Sequence, residues 1–481
     1  MSAFFPPPKV ADRVSKYRDG ARIESAKKFP ADLKLSFTDI RCTQQRIKCY
    51  VLSDLHADAE KNQVWVRENC KRVAEDADVF TVFILPGDIG SELDRLESVF
   101  RVLMANYNAV IYCPGNHEAW RRGTASGGSA TQPELRANNT TRLAVDSVQK
   151  IVEVVECARS CGVHVGPIRI QKIALEEQQQ PVVAETGAPP SIPSTTTAGV
   201  TIFPLYSWYH ADWDTEPDLD NETYLAVEEV MPFTKKWGDF AMCSWPADLL
   251  SHSEFASIST ASTVLAEAFA GINEPFLDPV TGAADANDGR TAEGEGDEAA
   301  TASTKKKIHE SMLVQEDDTV ISFSHFLPRQ ELCPEKRFLI EPLLSRVVGS
   351  DPLEAQVRRL NPHLHLFGHT HIPIDLELDG IRYVQWPLGY SREANKQCAP
   401  VHDVGPLMVY DSACGAGQQG IPPDLPSLAA AWTNYYRHNA RNPSLISPLA
   451  PWVLQRLDGY AGLVRNNPRP TPAAAAELNT P

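Results

Sequence analysis

Short apolar runs and amphipathic stretches alternate through the first third of the chain. Residues 47–53 (IKCYVLS) are apolar, β-branched in part and short, which predicts a buried strand. Residues 61–74 predict a helix, 79–85 a second strand, 91–105 a helix, 109–113 a third strand, and 142–161 a longer helix with apolar positions at helical spacing. This βαβαβα order predicts an α/β fold with a largely parallel sheet. Later apolar runs predict strands over 200–205, 319–324, 363–367, 381–386 and 407–410, with less helix between the last of them. That change in rhythm predicts a second sheet packed on the first.

Three stretches interrupt the pattern, near 177–198, near 278–307 and after about 465. Each is rich in small, polar or proline residues that bury too little apolar surface to offset the entropy of ordering them. They are expected to be insertions and a disordered tail. A Gly/Ser stretch over 123–131 predicts a loop. The organisation that follows is an N-terminal extension over 1–44, one domain over 45–415 carrying two insertions, and a C-terminal extension over 416–481.

Composition narrows the function classes. The chain has 481 residues, 43% of them hydrophobic, and a formal net charge of -17, so a sizeable core is possible and a general nucleic-acid binder is disfavoured. Small anionic substrates stay open, because a metal centre can supply positive charge locally. Ten cysteines are scattered without a C-x-x-C motif or a paired framework, which predicts free thiols in a reducing, cytoplasmic setting. No apolar run is long enough to span a membrane.

The chemistry sits just past the predicted strand ends, where open α/β sheets keep their sites. The first strand leads into Asp54-Leu55-His56, the second into Gly87-Asp88, and the third into Gly115-Asn116-His117-Glu118. Two later strands lead into Ser324-His325 and Gly368-His369-Thr370-His371. In an extended segment, side chains two residues apart share a face, so Asp54 and His56 can grip one cation together, as can His369 and His371. Carboxylate, imidazole and amide ligands together suit Mn, Fe or Zn better than Mg or Ca. Glycines at 87, 115 and 368 predict sharp turns and close backbone approach.

These five blocks in this order resemble the signature of the calcineurin-like metallophosphoesterases. The resemblance implies a four-layer αββα sandwich, with two mixed β-sheets flanked by helices. It implies two divalent or trivalent transition-metal ions (Mn, Fe or Zn), one held by Asp54, His56, Asp88 and His371, the other by Asp88, Asn116, His325 and His369. Asp88 would bridge them, and His117 would serve the leaving group as acid or transition-state stabiliser. The implied activity is hydrolysis of a phosphate mono- or diester by a hydroxide that the two metals activate. Residues 204–210 (PLYSWYH), 323–337 and 379–385 extend the similarity to an uncharacterised plant and protist branch over roughly residues 45–395.

One departure concerns the leaving group. The protein-phosphatase subgroup carries G-D-x-x-D-R-G, whereas Gly87-Asp88 is followed here by Ile89-Gly90-Ser91-Glu92, so the acid that would orient His117 is not in that place. This puts a small phosphoester ahead of a phosphoprotein as substrate, with a protein Ser/Thr phosphatase as the alternative. A catalytically silent interaction scaffold of the same fold is the other, and the complete ligand set argues against it. For substrate contacts the candidates are Arg329, four residues after His325, then Arg392, with Tyr209 and His210 beyond the strand over 200–205. Arg121 and Arg122 are weaker candidates, and His363 and His365 are expected to pack rather than ligate.

Overall fold

The computed structural model describes residues 14–17, 22–23, 26–71, 77–121, 145–173, 199–251, 255, 263–277, 314, 317–414, 420–422 and 431–460. The two stretches read as insertions, the Gly/Ser stretch, Arg122 and the tail lie outside the described residues.

The strands are β1 (Thr38–Cys42), β2 (Arg46–Val51), β3 (Val79–Pro86), β4 (Ala109–Cys113), β5 (Ile168–Lys172) and β6 (Val200–Pro204), then β7 (Thr319–Phe323), β8 (Leu364–Phe367), β9 (Ile374–Leu378), β10 (Ile381–Gln385) and β11 (Leu407–Asp411). They form two sheets. One has the order β11-β2-β3-β4, parallel except for β11, and the other β1-β5-β6-β7-β8-β10-β9, mixed. Side chains of both sheets share one continuous apolar core, which is sheet packed on sheet as the sequence predicts. Helices flank the pair. All eight residues of β3 are buried, as befits a central parallel strand covered on both faces.

The helices follow the same logic. In α2 (Leu93–Met104) polar and apolar positions segregate, with Leu96, Val99, Phe100 and Leu103 buried at i, i+3, i+4 and i+7, whereas α1 (Glu60–Asn69) buries Asn62 and Gln63 beside Val66. The helix α3 (Ser147–Ser160) starts at Asp146, whose side chain accepts from the Gln149 N–H at 2.9 Å. After α4 (Thr263–Asn273) comes α5 (Asp351–Leu360), which has Ser350 as N-cap, Pro352 in its first turn, and Asn361 in the left-handed region at its end (φ 46°).

Three strands mix charged residues with apolar ones. β1, β5 and β9 contain Asp39, Arg41, Arg169, Lys172, Asp375 and Glu377, and in β9 the two acids alternate with Ile374, Leu376 and Leu378, since β1 and β9 are the two edges of the larger sheet and β5 lies next to β1. β1 falls within the stretch read as an N-terminal extension, and the fold places it in parallel register with β5. Near the other end of the chain, the helix at Ala431–His438 packs on β9, where the Asp375 N–H donates to Thr433 Oγ1 at 2.9 Å. All ten cysteines are free thiols. Among the described residues, no helix is long and apolar enough to cross a membrane.

The strand ends of both sheets meet. β2, β3, β7 and β8 run into residues 53–56, 87–90, 324–327 and 368–371, and the two sheets are stitched there by a bridge between Ser53 and Pro387. Ser53 N–H donates to the Trp386 carbonyl (3.0 Å), Leu388 N–H to Ser53 (2.9 Å), and Gly368 N–H to His325 (3.0 Å).

Candidate metal centre

The backbone at the strand ends is unusual before any side chain is considered. Asp54 (φ 54°), His56 (φ 41°), Asp88 (φ 55°), His369 (φ 78°) and His371 (φ 54°) all adopt the left-handed region, which non-glycine residues rarely enter. Such strain concentrates where function demands a side-chain direction that relaxed backbone would not give. Gly87 shares the region (φ 76°), and a Cβ there would stand 2.7 Å from His325 Nδ1. Gly115 lies so close to Asp88 that a Cβ would be 2.8 Å from its backbone nitrogen.

Two sets of ligand atoms converge, and among the described residues they form groups able to hold a cation: Asp54, His56 and His371 in one, Asp88, His325 and His369 in the other. In the first, His371 Nε2 is 3.5 Å from Asp54 Oδ1 and 2.8 Å from His56 Nε2. In the second, His325 Nε2 is 3.4 Å from Asp88 Oδ1, and Asn116 Oδ1 is 3.0 Å from both His325 Nε2 and His369 Nδ1. A further group, His56, Asp88 and His117, lies between them. All of these side chains are buried.

The tautomers decide whether this cluster suits cations. His325 Nδ1 faces the Pro86 carbonyl at 2.9 Å, His369 Nε2 faces the Val347 carbonyl at 3.0 Å, and His371 Nδ1 faces Glu393 Oε2 at 2.8 Å. Each of these partners only accepts, so each of these ring nitrogens carries a proton, and in the neutral ring the opposite nitrogen is the one left bare. Those opposite nitrogens are the ones turned into the cluster, and that of His371 carries a second proton until a cation displaces it. Metal-ligating histidines are held in this way.

Charge points the same way. Burial raises Asp88 well above the usual carboxylate range, and the carboxylates of Glu118 and Asp54 add to it. Burial works against a charged His371, yet hydrogen bonds and attraction from Asp54 and Glu393 hold it up to about 10. Burial, and then the neighbouring imidazoles, depress His56, His117 and His369 well below the ordinary histidine value. A centre with two raised groups at neutral pH binds cations in competition with protons. Metal loading near pH 7 is therefore expected to release protons, and affinity to rise with pH toward 10. Calorimetric titration in two buffers of different ionisation enthalpy reads the number released, and zero would contradict this account.

Of the supporting groups, Glu118 closes the third block of the sequence pattern without a role assigned there, and the others had no signature in the sequence. Glu118 is buried and accepts four backbone N–H groups, from Asp88 (3.0 Å), Ile89 (2.7 Å), Gly90 (3.2 Å) and Gly115 (2.6 Å), so it clamps two ligand-bearing loops together. Burial pushes its carboxyl up to about 7 against the pull of those four donors. Asp239, in the short helix Gly238–Met242, accepts from Asn116 Nδ2 at 2.8 Å, which turns the amide oxygen toward His325 and His369. The same carboxylate receives the indole N–H of Trp120 (2.6 Å) and of Trp237 (2.9 Å). Glu393 holds His371 and also accepts from the Tyr390 N–H at 2.9 Å. The one local cue was position: Trp120 lies three residues after His117, and Tyr390 and Glu393 follow the bridge at Pro387. Glu393→Gln is expected to weaken metal binding by about 10- to 100-fold, as loss of such outer partners does. Competition with a chelating dye measures it, and unchanged affinity would remove Glu393 from the support.

The substrate candidates fare differently from the ligands. Arg329 does not reach the centre. Its buried guanidinium is held by Glu331 (2.8 Å), Asp379 (2.7 Å) and Glu354 (3.5 Å), and it lines a cavity of about 350 Å³ with Arg358, Arg359 and Tyr383, to which no ligand contributes. His210 and Tyr209 are also turned into the core. His210 Nε2 accepts from the Asp351 N–H at 3.1 Å at the start of α5, and Tyr209 packs against Trp208 and Phe326 with ring centroids 5.3 and 5.4 Å apart. The segment over 204–210 is apolar because it is core, and a run of aromatic residues reads alike for core and for pocket. Arg392, by contrast, is exposed at the edge of the centre, its guanidinium 4.4 Å from the ring centroid of Tyr390. His365 packs as expected, bonded to Ser322 Oγ (2.8 Å) and Ser324 Oγ (3.1 Å), while His363 Nδ1 accepts from Val320 N–H at 3.0 Å.

A scan against protein-family models finds no match, and a search of curated proteins finds none. Among solved structures the chain is similar to a phosphopantetheinyl hydrolase from Mycobacterium tuberculosis, at 18% identity, over 73% of this chain and 93% of that one, with a TM-score of 0.39. The metal-site reading rests on the ligand geometry of this chain.

Proposed function

We propose that this protein is a metal-dependent phosphoesterase that hydrolyses a small phosphate mono- or diester. The observation that carries the proposal is the pair of ligand groups linked where His56 of one and Asp88 of the other come together, in which His325, His369 and His371 each have the outward nitrogen tied to an acceptor and the opposite nitrogen turned inward. The residues fit two transition-metal ions, with Asp54, His56, Asp88 and His371 around one and Asp88, Asn116, His325 and His369 around the other. When bound, such ions lower the pKa of a water and neutralise charge on phosphoryl oxygens.

The chain's own residues supply the rest. Asp239 keeps the Asn116 oxygen inward, and Glu118 keeps the two loops in register. His117 Nε2 stands 3.7 Å from Asp88 Oδ2, placed to donate to a departing oxygen at the centre's edge. Arg392 offers an exposed guanidinium beside it for a phosphate oxygen or a second anionic group on the substrate. Retention of every ligand favours this reading over a silent scaffold.

The test is hydrolysis of aryl phosphate monoesters and diesters by the full chain, stripped with chelator and reloaded with Mn, Fe or Zn. Activity that appears only on reloading is expected. A protein that binds none of these metals, or hydrolyses neither ester when loaded, would remove the proposal.

A further inference from the structure

His117 lacks the orienting acid found elsewhere after the Gly-Asp block, yet its ring is held on several sides. Trp120 stacks on it (centroids 3.6 Å apart, 26°), and His56 meets it edge-on (4.6 Å, 66°). Trp120 is itself anchored through its indole N–H to Asp239. Stacking fixes the plane of an imidazole but leaves open which edge faces inward. That choice needs a polar partner.

The polar partner is Tyr390. Its hydroxyl lies 3.3 Å from His117 Nε2, the nitrogen that also faces Asp88 Oδ2. Tyr390 comes from a loop far along the chain and is itself tied to the first ligand group. Its ring stacks on His56 (4.2 Å, 25°), its N–H donates to the carboxylate that holds His371, and the preceding residue's N–H bonds to the Asp54 carbonyl at 3.0 Å. The outer side of the ring is covered by Arg392.

We infer that Tyr390 is the positioning residue for His117, and that its hydroxyl holds the Nε2 edge of the ring inward until the leaving oxygen takes its place on that nitrogen. A hydroxyl both donates and accepts, so it pairs with Nε2 whether or not that nitrogen carries a proton. A carboxylate offers no such choice. The inference rests on the phosphoesterase reading, since the service it describes is to the leaving group. Tyr390 acts through His117 and need not touch substrate.

The test compares the full, metal-loaded chain with Tyr390→Phe, His117→Ala and the double variant, on one phosphoester with a nitrophenol leaving group and one with an alkyl alcohol. Help to a departing oxygen matters for the poor leaving group and little for the good one. Tyr390→Phe is expected to lower kcat on the alkyl ester about tenfold or more, short of the roughly 10²- to 10⁴-fold that a general acid supplies. The aryl ester should change less than about threefold, and the double variant should be no slower than His117→Ala alone. Metal content should be unchanged, because the phenyl ring still stacks on His56. Equal losses on both esters, additive losses in the double variant, or loss of metal would overturn the inference. The ¹⁵N imidazole resonances of His117 give a readout apart from activity, and Tyr390→Phe should shift them. If the wild-type protein hydrolyses neither ester, the phosphoesterase reading fails, and an unshifted His117 resonance separately refutes the contact.

Discussion

Asp88→Asn is expected to abolish hydrolysis while leaving the fold intact. Asp88 belongs to the group of His325 and His369 and also comes together with His56 of the other, with His325 Nε2 3.4 Å from one of its oxygens and His117 Nε2 3.7 Å from the other. Replacing it removes a negative charge where cations must sit, and several kcal/mol of transition-state stabilisation depends on those cations. At about 1.4 kcal/mol per factor of ten, a loss on the order of 10³-fold or more follows. Stability should move the other way or not at all. In the metal-free protein this buried carboxylate is pushed up by burial and by Glu118 and Asp54, so a neutral amide of the same shape relieves repulsion. Steady-state kinetics with reloaded metal and thermal unfolding of the stripped protein measure the two effects. Residual activity within tenfold of wild type would show that Asp88 does not bridge the centre.

Glu118→Ala is expected to have the largest effect on stability. The side chain reaches none of the bare ligand nitrogens, yet its two oxygens accept from Asp88, Ile89, Gly90 and Gly115 in a fully buried position. Truncation leaves four N–H groups without a partner, and each such group costs roughly 1–3 kcal/mol. The sum is comparable with the roughly 5–15 kcal/mol that holds a whole domain folded. The variant should therefore accumulate as insoluble protein or unfold at a much lower temperature than wild type. Glu118→Gln, which keeps one acceptor oxygen, should lie between the two. A Glu118→Ala protein that melts within about 2 °C of wild type would show that water or rearranged loops satisfy those donors.

These two residues differ in how visible they were. Asp88 stands in a Gly-Asp pair at the end of an apolar run, and both the run and the pair are local. Glu118 is adjacent to His117, but its task spans two loops some thirty residues apart, and nothing local distinguishes a buried clamp from a surface acid. The same holds for Asp239, which reaches Asn116 from 123 residues away, and for Glu393, which reaches His371 across 22. Arg329 shows the converse. Its place after His325 suggested the site, whereas Glu331 two residues on, with Glu354 and Asp379 from farther along the chain, draws its guanidinium elsewhere.

Edge strands were hidden for a related reason. β1 and β9 each have one neighbour and carry charges that suit an exposed edge, so neither forms an apolar run, although β9 alternates, and β1 falls within the stretch read as an N-terminal extension. The central strands were legible because burial on both faces leaves mostly apolar residues.

By itself the sequence determined the α/β class, the central strands, and the seven ligand-type residues at their ends, since hydrophobic periodicity and glycine-flanked ligand pairs are written within a few residues of one another. Tertiary structure alone decided which nitrogen of each histidine faces the cluster, which carboxylates hold the loops, and that the Tyr390 hydroxyl meets His117. Those outcomes depend on distances between segments that fold together from far along the chain, and a side chain's hydrogen-bond partner is chosen by that meeting and not by its neighbours in sequence.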